Sequence, residues 1–338
     1  WTGAMALRTN ATTRAAIANG NVGTLLSTLN TITTGTGSSN AGAVLRKNGF
    51  AENYIVPDPQ YTSVQMQDNL NNSTYHSLQL QFTRRLAQGF TNSTNWTWSR
   101  TLGNSGIIRD PSNRAHEKAL LAFDHTQQIT SNGSYELPFG PNKAFLGGGP
   151  GWVSRIIERW QLGGIMNYNT GAPLTVTSNL QTISTTAVLP NVVGAFPKGV
   201  GTVTKVANGV VYFNGYTQTQ DPYFSNVSPL NGLNSGFSNK ALVAPNGQVV
   251  LVNPQPGQVG TLGYTTVKGP GILNFDMDLI KRVRISETKE FEFRLDAISM
   301  LNHPVFGNPN VNMNDVNFGR ITTATGSRTF VVNSRINF

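Results

Sequence analysis

The chain reads as all-β: an antiparallel meander forming the C-terminal part of a transmembrane β-barrel. Three observations predict this. The last residues alternate, with Phe330, Val332, Ser334, Ile336 and Phe338 on one side and Val331, Asn333, Arg335 and Asn337 on the other. Successive strand side chains point to opposite faces, so such a strand is apolar on one face and polar on the other. The same alternation recurs in several earlier segments. Composition agrees: 12% of the 338 residues are charged and 38% are hydrophobic, which suits strands with one apolar face. Charge is about half the soluble norm. No stretch approaches the ~20 apolar residues of a transmembrane helix.

The elements follow in chain order. Residues 1–60 form a loop-rich segment leading into the barrel, with one helical possibility near Thr12–Leu29. Residues 61–338 hold the strands, and 61–69 is the weakest candidate. Leu78, Leu80, Phe82 and Leu86 alternate with Ser77, Gln79, Gln81, Thr83 and Arg85. After the short turn Ala87-Gln88-Gly89, Phe90, Trp96, Trp98 and Leu102 alternate with Thr91, Ser93, Asn95, Thr97 and Ser99. Ile129, Tyr135 and Leu137 mark a strand near 124–138, and Trp160, Leu162, Met166 and Tyr168 one near 160–177. With the terminal strand and a hairpin before it, about eight strands are expected.

That hairpin is the clearest. Leu273, Phe275, Met277, Leu279 and Val283 alternate with Asn274, Asp276, Asp278, Arg282 and Arg284. Ile280 and Lys281 break the pattern. Past the turn Ser286-Glu287-Thr288-Lys289, Phe291, Phe293, Leu295 and Ala297 alternate with Glu290, Glu292, Arg294 and Asp296. A barrel sets the charged set toward the lumen: Asp276, Asp278, Arg282, Arg284, Glu290, Glu292, Arg294 and Asp296. It sets Phe330, Val332, Ile336 and Phe338 toward lipid, and the terminal strand they form resembles the assembly signal of outer-membrane barrels.

The connections alternate in length. Those at 87–89, 139–159 and 286–289 fall on one side, expected to be periplasmic, and those at 105–123, 178–272 and 303–326 on the other, expected to be extracellular. Val153–Arg159 reads as a short helix at the membrane edge. The Gly-, Asn- and Pro-rich segment 178–272 reads as a long extracellular loop with small hairpins around Val210-Val211-Tyr212-Phe213 and Val249-Val250-Leu251-Val252. Trp96, Trp98, Tyr75, Tyr135, Trp160, Tyr168, Phe330 and Phe338 are expected near strand ends or on outward faces, as in an aromatic girdle.

Several chemistries lack support. With no cysteine there are no disulfides or thiolate metal sites. His76, His116, His125 and His303 have no ligand-spaced partner, so no metal is expected. Asp124-His125 reads as a strand-entry pair, since no nucleophile elbow accompanies it. Gly147-Gly148-Gly149-Pro150-Gly151 lacks the Lys and Ser/Thr of a phosphate-binding loop. No catalytic residue and no cofactor is expected, so the chain does not read as an enzyme. The net charge of +9 is scattered, which argues against a nucleic-acid partner and suits anionic lipid head groups. Trp1 is not an initiator Met, so the chain is expected to begin inside a longer protein or after processing, which leaves room for an export signal upstream.

Taken together, certain runs resemble a known family. They begin with Asn72-Ser73-Thr74-Tyr75-His76-Ser77-Leu78-Gln79-Leu80, Arg84-Arg85-Leu86, Trp96-Thr97-Trp98-Ser99 and Phe123-Asp124-His125. Tyr135-Glu136-Leu137-Pro138-Phe139-Gly140, Trp160-Gln161-Leu162-Gly163-Gly164 and Thr170-Gly171-Ala172-Pro173 follow. Lys268-Gly269-Pro270-Gly271, Leu301-Asn302-His303-Pro304 and Phe306-Gly307-Asn308-Pro309 complete the set. In order and content they resemble the C-terminal barrel portion of TonB-dependent, Oar-like outer-membrane receptors of acidobacterial type, across roughly 42–338. Such proteins carry a carboxypeptidase-regulatory-like N-terminal domain and a plug before a barrel of about 22 strands. The resemblance implies a Gram-negative outer membrane as location and an imported substrate of unknown identity. It implies membrane lipid, the barrel-assembly machinery, an upstream plug and TonB as partners. A barrel-anchored surface adhesion or binding protein is the alternative.

Overall fold

The computed structural model describes residues 11–18, 51, 69, 71–104, 117–147, 150–178, 189–196, 201–223, 240–255 and 258–338. Seven long strands carry the fold: β1 (Ser73–Ala87), β2 (Phe90–Asn104), β3 (Gln127–Glu136), β4 (Trp160–Asn169), β5 (Ile272–Arg284), β6 (Glu290–Ile298) and β7 (Thr329–Asn337). They pair antiparallel in chain order within one eight-stranded sheet, whose eighth member, Lys118–Leu120, lies against β2. The all-β meander read from the sequence is therefore what forms. The sheet is open, with β1 and β7 as its two ends.

Strand lengths of nine to fifteen residues meet the 9–11 residues a tilted strand needs to cross a bilayer. No helix among the described residues is long and apolar enough to do so. The 61–69 candidate lies outside the described residues except for Asn69, which is not in a strand. Of the predicted N-terminal helix, Ala11–Ala18 is formed and the remainder lies outside the described residues.

At one end of the sheet the connections are tight. Gln88 (φ 53°) and Gly89 (φ 77°) turn β1 into β2; positive φ at both central residues matches the twist of a two-residue hairpin. A Cβ at Gly89 would also meet Glu136 Cβ at 3.0 Å. Between β5 and β6, the Ile285 and Ser286 amides donate to the Lys289 carbonyl at 2.9 and 3.1 Å. The third connection at this end holds a short helix, Gly151–Ile157, and the Trp160 indole donates to the Ile156 carbonyl at 2.9 Å.

At the opposite end the connections gather into a folded cap. Thr217–Gln220, Lys240–Val243, Val249–Val252 and Asn191–Val192 make one small sheet. Thr204–Val206, Gly209–Val211 and Arg320–Ile321 make another, joining residues from both long connections. The hairpins expected within 178–272 are thus part of a larger unit. Its core includes Val176, Leu189, Tyr212, Leu242, Leu251, Val267 and Met313, all 4% exposed or less. Phe213 stacks on Phe318 with ring centroids 5.0 Å apart. Beside this core lies a polar knot. Buried Asp221 accepts from the Asn253 amide (2.8 Å) and side chain (3.0 Å), while Asn314 accepts from the Lys240 amide at 2.8 Å. Gln218 donates to the Met313 and Asp315 carbonyls at 2.6 and 2.8 Å. Every buried polar group in this knot is thereby answered, as burial requires.

Candidate functional site on the two faces of the sheet

Register decides which side chains share a face. Arg284 pairs with Glu290, Arg282 with Glu292, Ile280 with Arg294 and Asp278 with Asp296. Glu292 in turn pairs with Arg335, Arg294 with Asn333 and Asp296 with Val331. All eight charged residues singled out from the sequence stand on this one polar face. The face continues through Gln161, Asn167, Asn132, Thr130, Asn95, Thr97, Gln79 and Gln81 toward β1.

The charges fall into three arrangements. Near the tight turns, Arg282 Nε meets Glu292 Oε2 at 2.8 Å and Arg282 Nη1 donates to Gln161 Oε1 at 2.9 Å. Arg159 meets Glu290 at 2.6 Å. This network crosses β4, β5 and β6; opposite charges placed side by side across strands stabilise pairing. In the middle, Arg294 Nε donates to Asp296 Oδ1 at 2.6 Å, and Asn333 donates to the other oxygen at 3.3 Å. At the cap end, Asp276 accepts the Ser299 amide at 2.7 Å and so fixes the exit of β6.

Asp278, Arg284 and Arg335 form no hydrogen bond or ion pair among the described residues. Asp278 lies over Gly163, where a Cβ would come within 2.2 Å of its carboxylate. Arg159, Gln161, Asn333 and Arg335 were not singled out in the sequence. Their roles arise from register with distant strands, which alternation alone does not report.

The opposite face is apolar. Phe330 pairs with Ala297, Val332 with Leu295 and Ile336 with Phe291. Leu279 pairs with Leu295 and with Leu162, Tyr135 with Leu162 and Phe90, Trp96 with Ile129 and Leu80. Many of these side chains stand in the open; Phe82 is 61% and Phe330 55% exposed. A water-soluble fold rarely displays such a continuous apolar surface.

Cations border this face against aromatic rings. Arg84 lies over Phe90 (5.4 Å), Lys281 over Trp160 (5.5 Å) and Arg328 over Phe330 (5.3 Å). Lys281, the exception to the alternation, also donates to the Glu158 carbonyl. Its stem lies along apolar surface while its amine reaches the sheet's end, as a snorkelling lysine does. The other exception, Ile280, is buried on the polar face between Gln161 and Arg294. One aromatic lies near a strand end and not on the apolar face. Tyr75 pairs with Thr101 and stands on the polar face, because its register parity is that of Gln79 and not of Leu78.

The Asp124–His125 pair does structural work. Asp124 Oδ1 accepts the Thr101 amide at 2.6 Å, and His125 Nδ1 lies 2.6 Å from the Thr170 carbonyl. Together they hold a bulged segment between β2 and β4. Among the described residues no cluster of three metal-ligating side chains occurs.

The family comparison fits this two-faced sheet. Residues 15–331 match the outer membrane beta barrel domain. The chain belongs to that family. It is an outer-membrane barrel protein, and its strands have the two faces such a barrel needs. Comparison with curated proteins and with solved structures returned no match.

Proposed function

We propose that the chain supplies the C-terminal strands and outer cap of a TonB-dependent-receptor-like transporter in a Gram-negative outer membrane. In this reading Phe330, Val332, Ile336 and Phe338 meet lipid, and the charged face lines the lumen. The tight turns are periplasmic and the cap extracellular, as short inner turns and long outer loops require. Strands β1 and β7 are two open edges, which a larger barrel would pair with further strands.

The observation that carries the proposal is the set of charges left free. Among the described residues Arg284 and Arg335 face the same side without a hydrogen bond or ion pair, beside the Arg282–Glu292 network. Free charges on a lumen wall suit a plug held by charge-assisted hydrogen bonds. The reading includes no catalytic step, no cofactor and no nucleic-acid partner. TonB and the barrel-assembly machinery enter through the resemblance. The imported substrate would meet the cap first.

The test uses the full-length gene product in its own cells. Arg284→Gln with Arg335→Gln should loosen the plug and admit bulky hydrophilic antibiotics that the parent excludes. Unchanged antibiotic sensitivity, at equal barrel levels in the membrane, would count against a plugged transporter. The cap, folded around its own core, favours a second reading: a barrel-anchored surface adhesion or binding protein. That reading expects no change in permeability.

A further inference from the structure

Where the cap-side ends of β1 and β2 meet the segment 120–126 and Lys268, there is a cavity of about 620 Å³. Its lining combines three basic residues, His76, Arg100 and Lys268, with three apolar ones, Leu78, Trp98 and Leu120. No acidic residue lines it among the described residues. His76 pairs with Arg100, and Leu78 with Trp98. All four therefore belong to the apolar face. Arg100 and His76 form no hydrogen bond or ion pair among the described residues. Lys268 donates once among the described residues, to Thr126 Oγ1 at 2.7 Å, which uses one of its three donors.

The position along the strand is informative. On β1 the apolar-face residues run His76, Leu78, Leu80, Phe82, Arg84. Eight residues separate the two basic ends, about 20 Å of height for a strand tilted by ~45°. That spans most of the roughly 25 Å apolar band of an outer-membrane barrel. Arg84 then marks one interface of the membrane and the cavity marks the other, on the cap side. A guanidinium and an imidazole without partners among the described residues, beside a Trp wall at that level, are placed for an anion whose tail is apolar.

We propose that this cavity binds an anionic lipid whose head group is a phosphate monoester. Its head group sits between Arg100, His76 and Lys268, and its first acyl segment lies along Leu78 and Trp98. The phosphate is held by charge-assisted hydrogen bonds, with Arg100 offering two parallel donors. A soluble anion has no use for the apolar walls. A neutral lipid leaves three basic groups unanswered. The proposal rests on the reading that the apolar face meets lipid.

The test places the full chain in phosphatidylcholine nanodiscs with a minor fraction of phosphatidic acid. Native mass spectrometry then counts retained phosphatidic acid. The parent should retain it, Arg100→Gln and Lys268→Gln should each lose about tenfold in retention, the scale of one charge-assisted hydrogen bond, and Arg100→Lys should recover part. Inorganic phosphate should not displace the lipid; displacement by phosphate would overturn a lipid site in favour of a simple anion site. Equal retention by parent and Arg100→Gln would overturn it outright.

A second measurement separates this from failure of the underlying orientation. The chain has no cysteine, so Leu80→Cys carries a single fluorescent label. Brominated phosphatidylcholine should quench it. An unquenched label would refute the lipid-facing reading and this proposal with it. A quenched label with no selective retention would refute this proposal alone.

Discussion

The sheet and the cap solve opposite problems with the same backbone. In the cap, strands of two to four residues turn Val250, Leu251 and Val252 inward, and each is 1% exposed or less. In the sheet, strands of nine to fifteen residues hold Leu80, Phe82, Val332 and Ile336 outward, each at least half exposed. The cap makes its own apolar interior and so needs only water around it. The sheet has polar side chains on one face and apolar ones on the other, so its apolar solvent must come from outside. One chain is thus written for two solvents, and the boundary runs through the turns after β4 and β6.

The sharpest way to break this comparison is a charge in the cap core. Leu251→Asp buries an unpaired carboxylate among Val176, Leu242 and Met313. It should destabilise the cap by at least about 4 kcal/mol while leaving the sheet formed. Limited proteolysis should cut 189–268 in the variant, yet heat-modifiable gel migration of the full-length barrel should persist. Loss of both would show that cap and sheet form one cooperative unit.

The next effect reverses the logic within the sheet. Leu295→Arg puts a cation on the apolar face and should cost about 2–4 kcal/mol at mid-membrane depth. Arg294→Leu, one residue away on the polar face, should cost clearly less. It removes a bond to Asp296, which keeps Asn333 as a partner. Urea titration of the barrel in lipid vesicles would rank the two, and a greater loss for Arg294→Leu would reverse the assignment of faces.

Asp221→Ala should follow in size. It strands the Asn253 and Tyr223 amides that Asp221 accepts at 2.8 and 2.9 Å. The expected cost is about 1–3 kcal/mol to the cap alone. Hydrogen exchange should rise at 249–253 and stay unchanged on β5 and β6; exchange rising equally in both would erase the boundary.

The smallest effect is one of pH. Burial raises the pKa of Tyr212 above the ordinary tyrosine value, and its hydroxyl donates to the Lys268 carbonyl. A folded-state pKa above the unfolded one means that the contribution is complete below the unfolded value, near 10. It is lost as pH rises through the folded value. The cap should therefore loosen on the alkaline side, and Tyr212→Phe should reduce that pH dependence, leaving the part from Tyr216, whose pKa burial also raises. A cap equally stable on both sides of this range would contradict the assignment.

The difference between the two regions also explains what the sequence made legible. Period-two alternation over nine or more residues is a local pattern, so Glu290 to Asp296 and Phe330 to Phe338 announced their faces unaided. Tyr75 lies near the start of β1, as expected, and the same alternation puts it on the face of Ser77 and Gln79. The Arg159–Glu290 contact joins residues more than a hundred positions apart through β4 and β5, and neither residue's neighbours hint at it. The cap was legible only as scattered hairpins. Its core draws Val176, Leu189, Leu251 and Met313 from pieces too short to carry a period, and their convergence is a tertiary fact.

The weaving of the cap has a consequence for timing. Gly209–Val211 pairs with Arg320–Ile321, and Gln218 reaches carbonyls 95 and 97 residues further on. Contacts this far apart along the chain close slowly, because a long loop must be ordered before they repay it. The small sheet of Thr204–Val206, Gly209–Val211 and Arg320–Ile321 therefore cannot be completed until residues 305–325 are in place. Closure of the cap is then a late event that reports placement of the whole β5–β6 hairpin, a built-in sign that the sheet below it is complete.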